Sequence, residues 1–129
     1  MKTPFEIDDY RALLLGQRPL IDVRAPIEYA AGSLPGACNL PLMNNAERHQ
    51  VGICYRQHGQ QAAIDLGHQL ICPELREQRI LAWREYITRH PQAAIYCARG
   101  GLRSQITQRW LANSGVFCAR VSGGYKALR

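Results

Sequence analysis

Lysine is nearly absent from this chain of 129 residues, in which fourteen of the sixteen basic residues are arginine. No apolar run approaches the roughly eighteen residues that a membrane-crossing helix needs. The start of the chain, where Phe5-Glu6-Ile7-Asp8-Asp9 is acidic, lacks the basic-then-apolar pattern of a secretory signal. These absences predict a soluble, cytoplasmic protein with no membrane partner. No two of Cys38, Cys54, Cys72, Cys97 and Cys118 lie closer than sixteen residues apart. The closely spaced ligand pairs of a structural zinc site are therefore missing, and no metal site is expected. An odd set of cysteines without a signal also argues against a disulfide framework. Repeats and low-complexity segments are absent too, and with 47% hydrophobic residues the chain has the composition of one folded domain.

What is present centres on Ile95-Tyr96-Cys97-Ala98-Arg99-Gly100-Gly101-Leu102-Arg103-Ser104. The apolar stretch Ala93–Tyr96 reads as a buried strand that delivers Cys97 into a short loop with two glycines and two arginines. An amphipathic pattern from Ser104 to Ala112 then reads as a helix. A strand–loop–helix unit aims successive backbone N–H groups inward and sets a positive helix end beneath them. Glycine allows the backbone to close round a ligand, and two arginines within six residues do not suit a core. Cys97 is thus the candidate nucleophile, with Ala98, Arg99, Gly100, Gly101, Leu102 and Arg103 as its anion-binding loop. Cys38 and Cys118 fall in strand-like stretches and read as core; Cys54 or Cys72 could resolve an oxidised or persulfurated Cys97.

The net charge of +6 is carried by a residue whose planar fork suits phosphate, which fits a polyanionic partner. Arg76, Arg79, Arg84 and Arg89, interleaved with Glu74, Glu77 and Glu85 at helical spacing, read instead as a solvated helix face. Along the chain, Asp8-Asp9 can cap a helix from Tyr10 to Leu15 that Gly16 ends. Pro19–Val23 reads as a strand, Glu28–Ala30 as a helical turn, and Leu34–Pro41 as a turn and short strand. Asn44 to His90 lacks strand signals and reads as helical, broken near Gly59 and at Cys72-Pro73. A last strand covers Val116–Val121, and Ser122-Gly123-Gly124-Tyr125 is a terminal loop. Short apolar strands alternating with helices predict an α/β fold, a central parallel sheet flanked by helices on both faces, with its site at the carboxyl ends of the strands.

Three features together resemble a rhodanese domain: Asp22-Val23-Arg24, Leu34-Pro35-Gly36-Ala37-Cys38-Asn39-Leu40-Pro41, and the cysteine–arginine loop followed by Ser104. The resemblance implies that residues 1–129 form one rhodanese-like domain with a helical insertion at about 43–90. In it, Cys97 carries a transferable sulfur as a persulfide, Arg103 closes the anion pocket, and Asp22 and Arg24 support the fold and the rim. Five residues separate Cys97 from Arg103, where simple rhodaneses have four. Five is the count of cysteine-dependent phosphatases and arsenate reductases, so that activity is the rival reading, although no acid in or just after the loop offers a leaving-group proton. A non-catalytic docking module is the reading from outside enzymology; it leaves the cysteine and arginines without a role.

Pro41–Arg48, Val51–Gln57, Gly59–Ala63, Leu66-Gly67-His68, Tyr96–Ser104 and Gly123–Arg129 are similar to bacterial tRNA 2-selenouridine synthases. This resemblance implies the N-terminal half of such an enzyme, transferring selenium from selenophosphate through a Cys97 perselenide to replace the sulfur of wobble 2-thiouridine in tRNA. Geranyl diphosphate would be a further substrate of the full enzyme, and the chain itself would hold no cofactor. Gly67 and His68 become candidate supporting residues. Family members also carry a P-loop domain, and no Gly-x-x-x-x-Gly-Lys-Ser/Thr occurs here. The tRNA site would then lie largely with that domain.

Overall fold

The computed structural model describes residues 6–7, 10–16, 18–99 and 101–127. The Asp8-Asp9 cap, Gly100, Leu128 and Arg129 lie outside the described residues. Five parallel strands form one sheet in the order β1-β5-β4-β2-β3: β1 (Glu6–Ile7), β2 (Leu20–Asp22), β3 (Ala37–Asn39), β4 (Ala94–Tyr96) and β5 (Ala119–Val121). At the centre, Leu20, Ile21 and Asp22 pair with Ala94, Ile95 and Tyr96 on one side and with Ala37, Cys38 and Asn39 on the other. Side chains alternate across the sheet. Leu20, Ala94 and Tyr96 therefore pack with Leu13 and Leu34 on one face, and Ile21, Val23, Ile95 and Cys97 with Trp83, Trp110 and Leu111 on the other. Both faces are covered, which is why the central strands β2 and β4 are mostly apolar.

Helices α1 (Tyr10–Leu14) and α2 (Pro26–Ala31) serve the first face. The Cys97 face is covered by α3 (Asn45–His58), α4 (Gln60–Leu70), α5 (Pro73–Arg89) and α6 (Leu102–Asn113). Asn44 starts α3 with a reciprocal capping box: its Oδ1 accepts from Glu47 N–H, and Glu47 Oε1 accepts from Asn44 N–H, each at 2.8 Å. Gly59, at φ +88°, separates α3 from α4, and Pro73 opens α5 where its missing N–H costs nothing. Trp83 is fully buried and donates its indole N–H to Leu40 O at 2.8 Å, fixing α5 to the strand edge.

Four expectations change. β1 pairs with β5 although only two residues long, too short to register as a pattern. The terminal loop is a turn leading into a 3-10 helix at Tyr125–Ala127. Cys38 is half-buried rather than core. Arg76 and Arg79 do not lie on a purely solvated face: Arg76 stacks 4.5 Å over the Trp110 ring, and Arg79 Nη1 meets Glu47 of α3 at 2.9 Å and Leu42 O at 2.6 Å. Tertiary partners claim them before their helical neighbours can.

Candidate active site

Cys97 follows β4 and is 2% exposed. Its thiol donates to Ser104 Oγ at 3.5 Å, and that hydroxyl donates to Gly101 O at 3.0 Å, so Ser104 orients the sulfur. The loop backbone is held from behind by the last described turn. Tyr125 N–H donates to Cys97 O and Lys126 N–H to Ala98 O, both at 2.8 Å. Because a trans peptide points its C=O and N–H in opposite directions, these two bonds turn the Ala98 and Arg99 N–H groups away from the 3-10 turn. Gly124 makes the approach possible. Its φ is +62°, and a Cβ there would strike Cys97 O and lie 3.0 Å from the carbonyl carbons of Cys97 and Ala98.

Gly101 adopts the left-handed conformation at φ +86° and begins α6 two residues earlier than the amphipathic pattern indicates. Leu102 and Arg103 thus belong to the first helical turn rather than to the loop. A side chain at 101 would run into the Arg120 guanidinium of β5, which sequence reading had not connected to the loop.

Arg103 meets Glu28 of α2 as a fork, Nη1 to Oε1 at 2.6 Å and Nη2 to Oε2 at 3.1 Å. Arg48 of α3 reaches the same carboxylate, Nε to Oε1 at 2.9 Å, and Ala25 N–H donates to it at 3.1 Å. Burial alone would raise the Glu28 carboxyl; the hydrogen bonds and charge of Arg103, with Ala25 N–H and Arg48, outweigh it and hold the group below the usual carboxylate range. The cavity therefore does contain an acidic side chain, supplied by α2 from far away in sequence. Glu28 and Arg48 were both missed; only the capping-box position of Glu28 after Pro26 gave a local signal, and that signal is structural.

Asp22 and Arg24 lie behind the loop, not on a rim. Both are buried and paired through two guanidinium nitrogens, the shortest contact being 2.7 Å. Burial opposes the Arg24 charge, but Asp22 more than compensates and raises its pKa further. Arg24 Nη2 also donates to Gly32 O at 2.6 Å, and its guanidinium sits 4.2 Å over the Tyr125 ring. Asp22 and Arg24 thus support the residue that holds Cys97 O.

A cavity of about 640 Å³ opens over the loop. Cys97, Ala98, Arg99, Gly101, Leu102 and Arg103 form one side of it, and Glu28, Arg48, Gly67 and His68 also line it. Met43, Val51, Ile64 and Ile106 add an apolar wall to the lining. Arg99 is exposed, as is His68, whose ring lies 6.1 Å from Trp110. Cys54 and Cys72 are half-buried and, like the other cysteines, unpaired. Among the described residues no cluster of three or more His, Cys, Asp or Glu could hold a metal ion, and no helix is long and apolar enough to cross a membrane.

Comparison with known proteins agrees with this architecture. The rhodanese-like domain family matches residues 6–129. The tRNA 2-selenouridine synthase of Pseudomonas fluorescens (strain Pf0-1) is 57% identical over 125 residues, covering 96% of this chain and 34% of that protein. The enzyme of the same name from Alcanivorax borkumensis is 57% identical over 121 residues, 94% of this chain and 33% of that protein. The chain spans about a third of the length of these relatives, not the half that the resemblance implied. Among solved structures, the N-terminal domain of a Clostridium difficile 630 protein named for ATP/GTP binding is 34% identical. It superposes with a TM-score of 0.82 over 94% of this chain and 93% of that one. A rhodanese-related protein from Thermoplasma volcanium, 19% identical with a TM-score of 0.51 over 92% of this chain and 81% of that one, shares the fold. By sheet order, cysteine loop and family match, this chain belongs to the rhodanese-like family.

Proposed function

We propose that this chain is the chalcogen-carrying rhodanese domain of a tRNA 2-selenouridine synthase, with Cys97 as its nucleophile. The observation that carries the reading is the setting of Cys97: a buried sulfur at the end of β4, on a loop pinned from behind and facing a cavity with positive charge at its edge. In this reading the backbone N–H groups of Ala98, Arg99, Gly101, Leu102 and Arg103, with the Arg99 and Arg103 guanidiniums, hold the phosphoryl end of selenophosphate. The Cys97 thiolate attacks selenium. Its electron pair forms the S–Se bond, the Se–P pair leaves on phosphorus, and phosphite departs from a Cys97 perselenide. Departure of phosphate would instead leave selenium as selenide and form no S–Se bond, so the phosphorus product tests the step. Thiosulfate would leave sulfite by the same electron count. In the complete enzyme the perselenide selenium would add at C2 of the wobble base and expel the prenylated sulfur as a prenyl thiolate, and a thiol reductant would then cleave the S–Se bond, leaving selenium on the base and a mixed disulfide on Cys97. Geranyl diphosphate is the alkylating substrate of the complete enzyme, and the apolar wall of Met43, Val51, Ile64 and Ile106 would suit a prenyl group on the sulfur being replaced.

A cysteine phosphatase needs a proton donor for its leaving group. The carboxyl among the described lining residues is Glu28, held ionised by two arginines, which disfavours that reading. A docking module gives the cavity and its sulfur no task. Incubation with selenophosphate, thiosulfate or an aryl phosphate, followed by intact-mass and phosphorus NMR analysis, discriminates. Gain of one selenium or sulfur atom, lost in Cys97→Ser, with phosphite as the selenophosphate product, is expected. Rapid Cys97-dependent hydrolysis of the aryl phosphate would overturn the proposal.

A further inference from the structure

We infer that Arg48 and Arg103, held side by side by the Glu28 carboxylate, form a two-arginine clamp at the Cys97 cavity that takes the phosphate group of a small phosphorylated donor. Three elements distant in sequence converge here. Glu28 comes from α2, Arg48 from α3 and Arg103 from the first turn of α6. Arg103 and Glu28 are largely buried, with side chains 20% and 14% exposed, while Arg48 is 46% exposed and so sits at the outer edge. All three line the same cavity as Cys97.

This network sets two guanidiniums against a single carboxylate, so among the described residues it carries excess positive charge at a cavity that the exposed Arg99 also lines. The task of joining helices is met nearby by other groups. Ile27 N–H donates to Asn45 Oδ1 at 2.9 Å, which already ties α2 to α3, and the Asn44–Glu47 capping box fixes the start of α3. Each guanidinium has five N–H donors in a planar fork. Glu28 takes two from Arg103 and meets Arg48 at Nε, 2.9 Å away. Donors and charge thus remain for a phosphate that Glu28 can neither match nor neutralise. Glu28 acts as the spacer: it keeps two like charges together and turned to the cavity until the anion arrives.

The clamp rests on the anion-binding loop of the proposed function and adds to it a residue outside the loop. Its test is protection of Cys97 from iodoacetamide by inorganic phosphate, measured as the phosphate concentration that halves the alkylation rate. Arg48→Ala is expected to raise that concentration about tenfold, in line with loss of a charge-assisted hydrogen bond. Arg48→Lys should recover part of the loss, with the melting temperature of both variants near that of the parent. Protection unchanged in Arg48→Ala, with selenium loading intact, would overturn the clamp alone. Arg48-dependent protection in a protein that selenophosphate and thiosulfate both fail to load would leave the clamp standing and remove the transferase reading. If Arg48→Ala weakens only tRNA binding and not phosphate protection, the positive charge reads RNA backbone and the assignment to a small donor falls.

Discussion

Cys97 and Cys118 are both buried thiols, and their surroundings assign them opposite fates. The Cys118 thiol donates to Ala93 O at 3.2 Å, and burial pushes its pKa up to about 11, so at neutral pH it stays protonated and inert. Cys97 instead borders a cavity. Replacing Cys118 by serine should leave selenium or sulfur loading at the parent level, whereas Cys97→Ser should abolish it; intact mass reads both. Gly124 is the more revealing position, because it touches no substrate. A methyl group there is strained at φ +62° and collides with the Cys97 carbonyl, so the loop must shift to admit it. Gly124→Ala should cost about 1–3 kcal/mol of stability and slow loading by about tenfold to a hundredfold through misplacement of the sulfur. Comparing loading rate with denaturant midpoint separates the two effects. A loading rate that falls only in proportion to unfolded protein would show that the 3-10 turn merely packs against the loop. The sequence marks Gly123-Gly124-Tyr125 as a motif but not its target, since the bonds from Tyr125 and Lys126 cross 28 residues to reach Cys97 and Ala98.

At the scale of elements, α2, α3 and α6 meet at one carboxylate, and that meeting is pH-dependent. The folded pKa of Glu28 lies below its ordinary value of 4.5, so its ion pairs stabilise the fold fully above that value. The contribution fades as pH falls below 4.5 through the depressed folded value. Melting temperatures measured from pH 6 down to pH 3 (about the span of carboxylate titration) should fall less steeply for Glu28→Gln than for the parent. Parallel profiles would show that the network adds nothing to stability. The same meeting point shows where sequence reading stops. Strands β2 and β4, the Gly59 and Pro73 breaks and the cysteine loop were legible because their signals are local: apolar runs, backbone restrictions and residues a few positions apart. β1 was not, being held by Arg120 and Val121 rather than by any pattern of its own. Glu28 and Arg48 were not, because the fold brings them to Arg103 across 75 and 55 residues. Even α6 was placed late, since Gly101 starts it by a backbone angle rather than by an apolar repeat.

At the scale of the whole molecule, the loop, its supports and the cavity all belong to one sheet and its covering helices, and the proposed chemistry at Cys97 draws on these residues. The tRNA step is different. For the proposed tRNA partner, a net charge of +6 predicts an affinity that falls with salt. The cavity of about 640 Å³ has one thiol, Cys97, among its described lining residues, with Arg48, Arg99 and Arg103 also lining it. The chain matches only 34% of the length of a relative named tRNA 2-selenouridine synthase. The 129-residue chain assayed by itself should therefore load selenium at Cys97 yet leave tRNA unmodified. The measurement supplies it with thiolated tRNA, geranyl diphosphate and selenophosphate, then analyses the digested nucleosides by mass spectrometry, with the loading state of Cys97 read from the same mixture. A loaded cysteine beside unchanged 2-thiouridine is the expected result. Adding a full-length relative carrying Cys97→Ser at its matching cysteine should then restore some conversion if the perselenide can be passed between chains. Appearance of 2-selenouridine from this chain alone would instead mean that the Cys97 cavity, with its apolar wall, accepts the modified base directly and that one sheet suffices for the whole exchange.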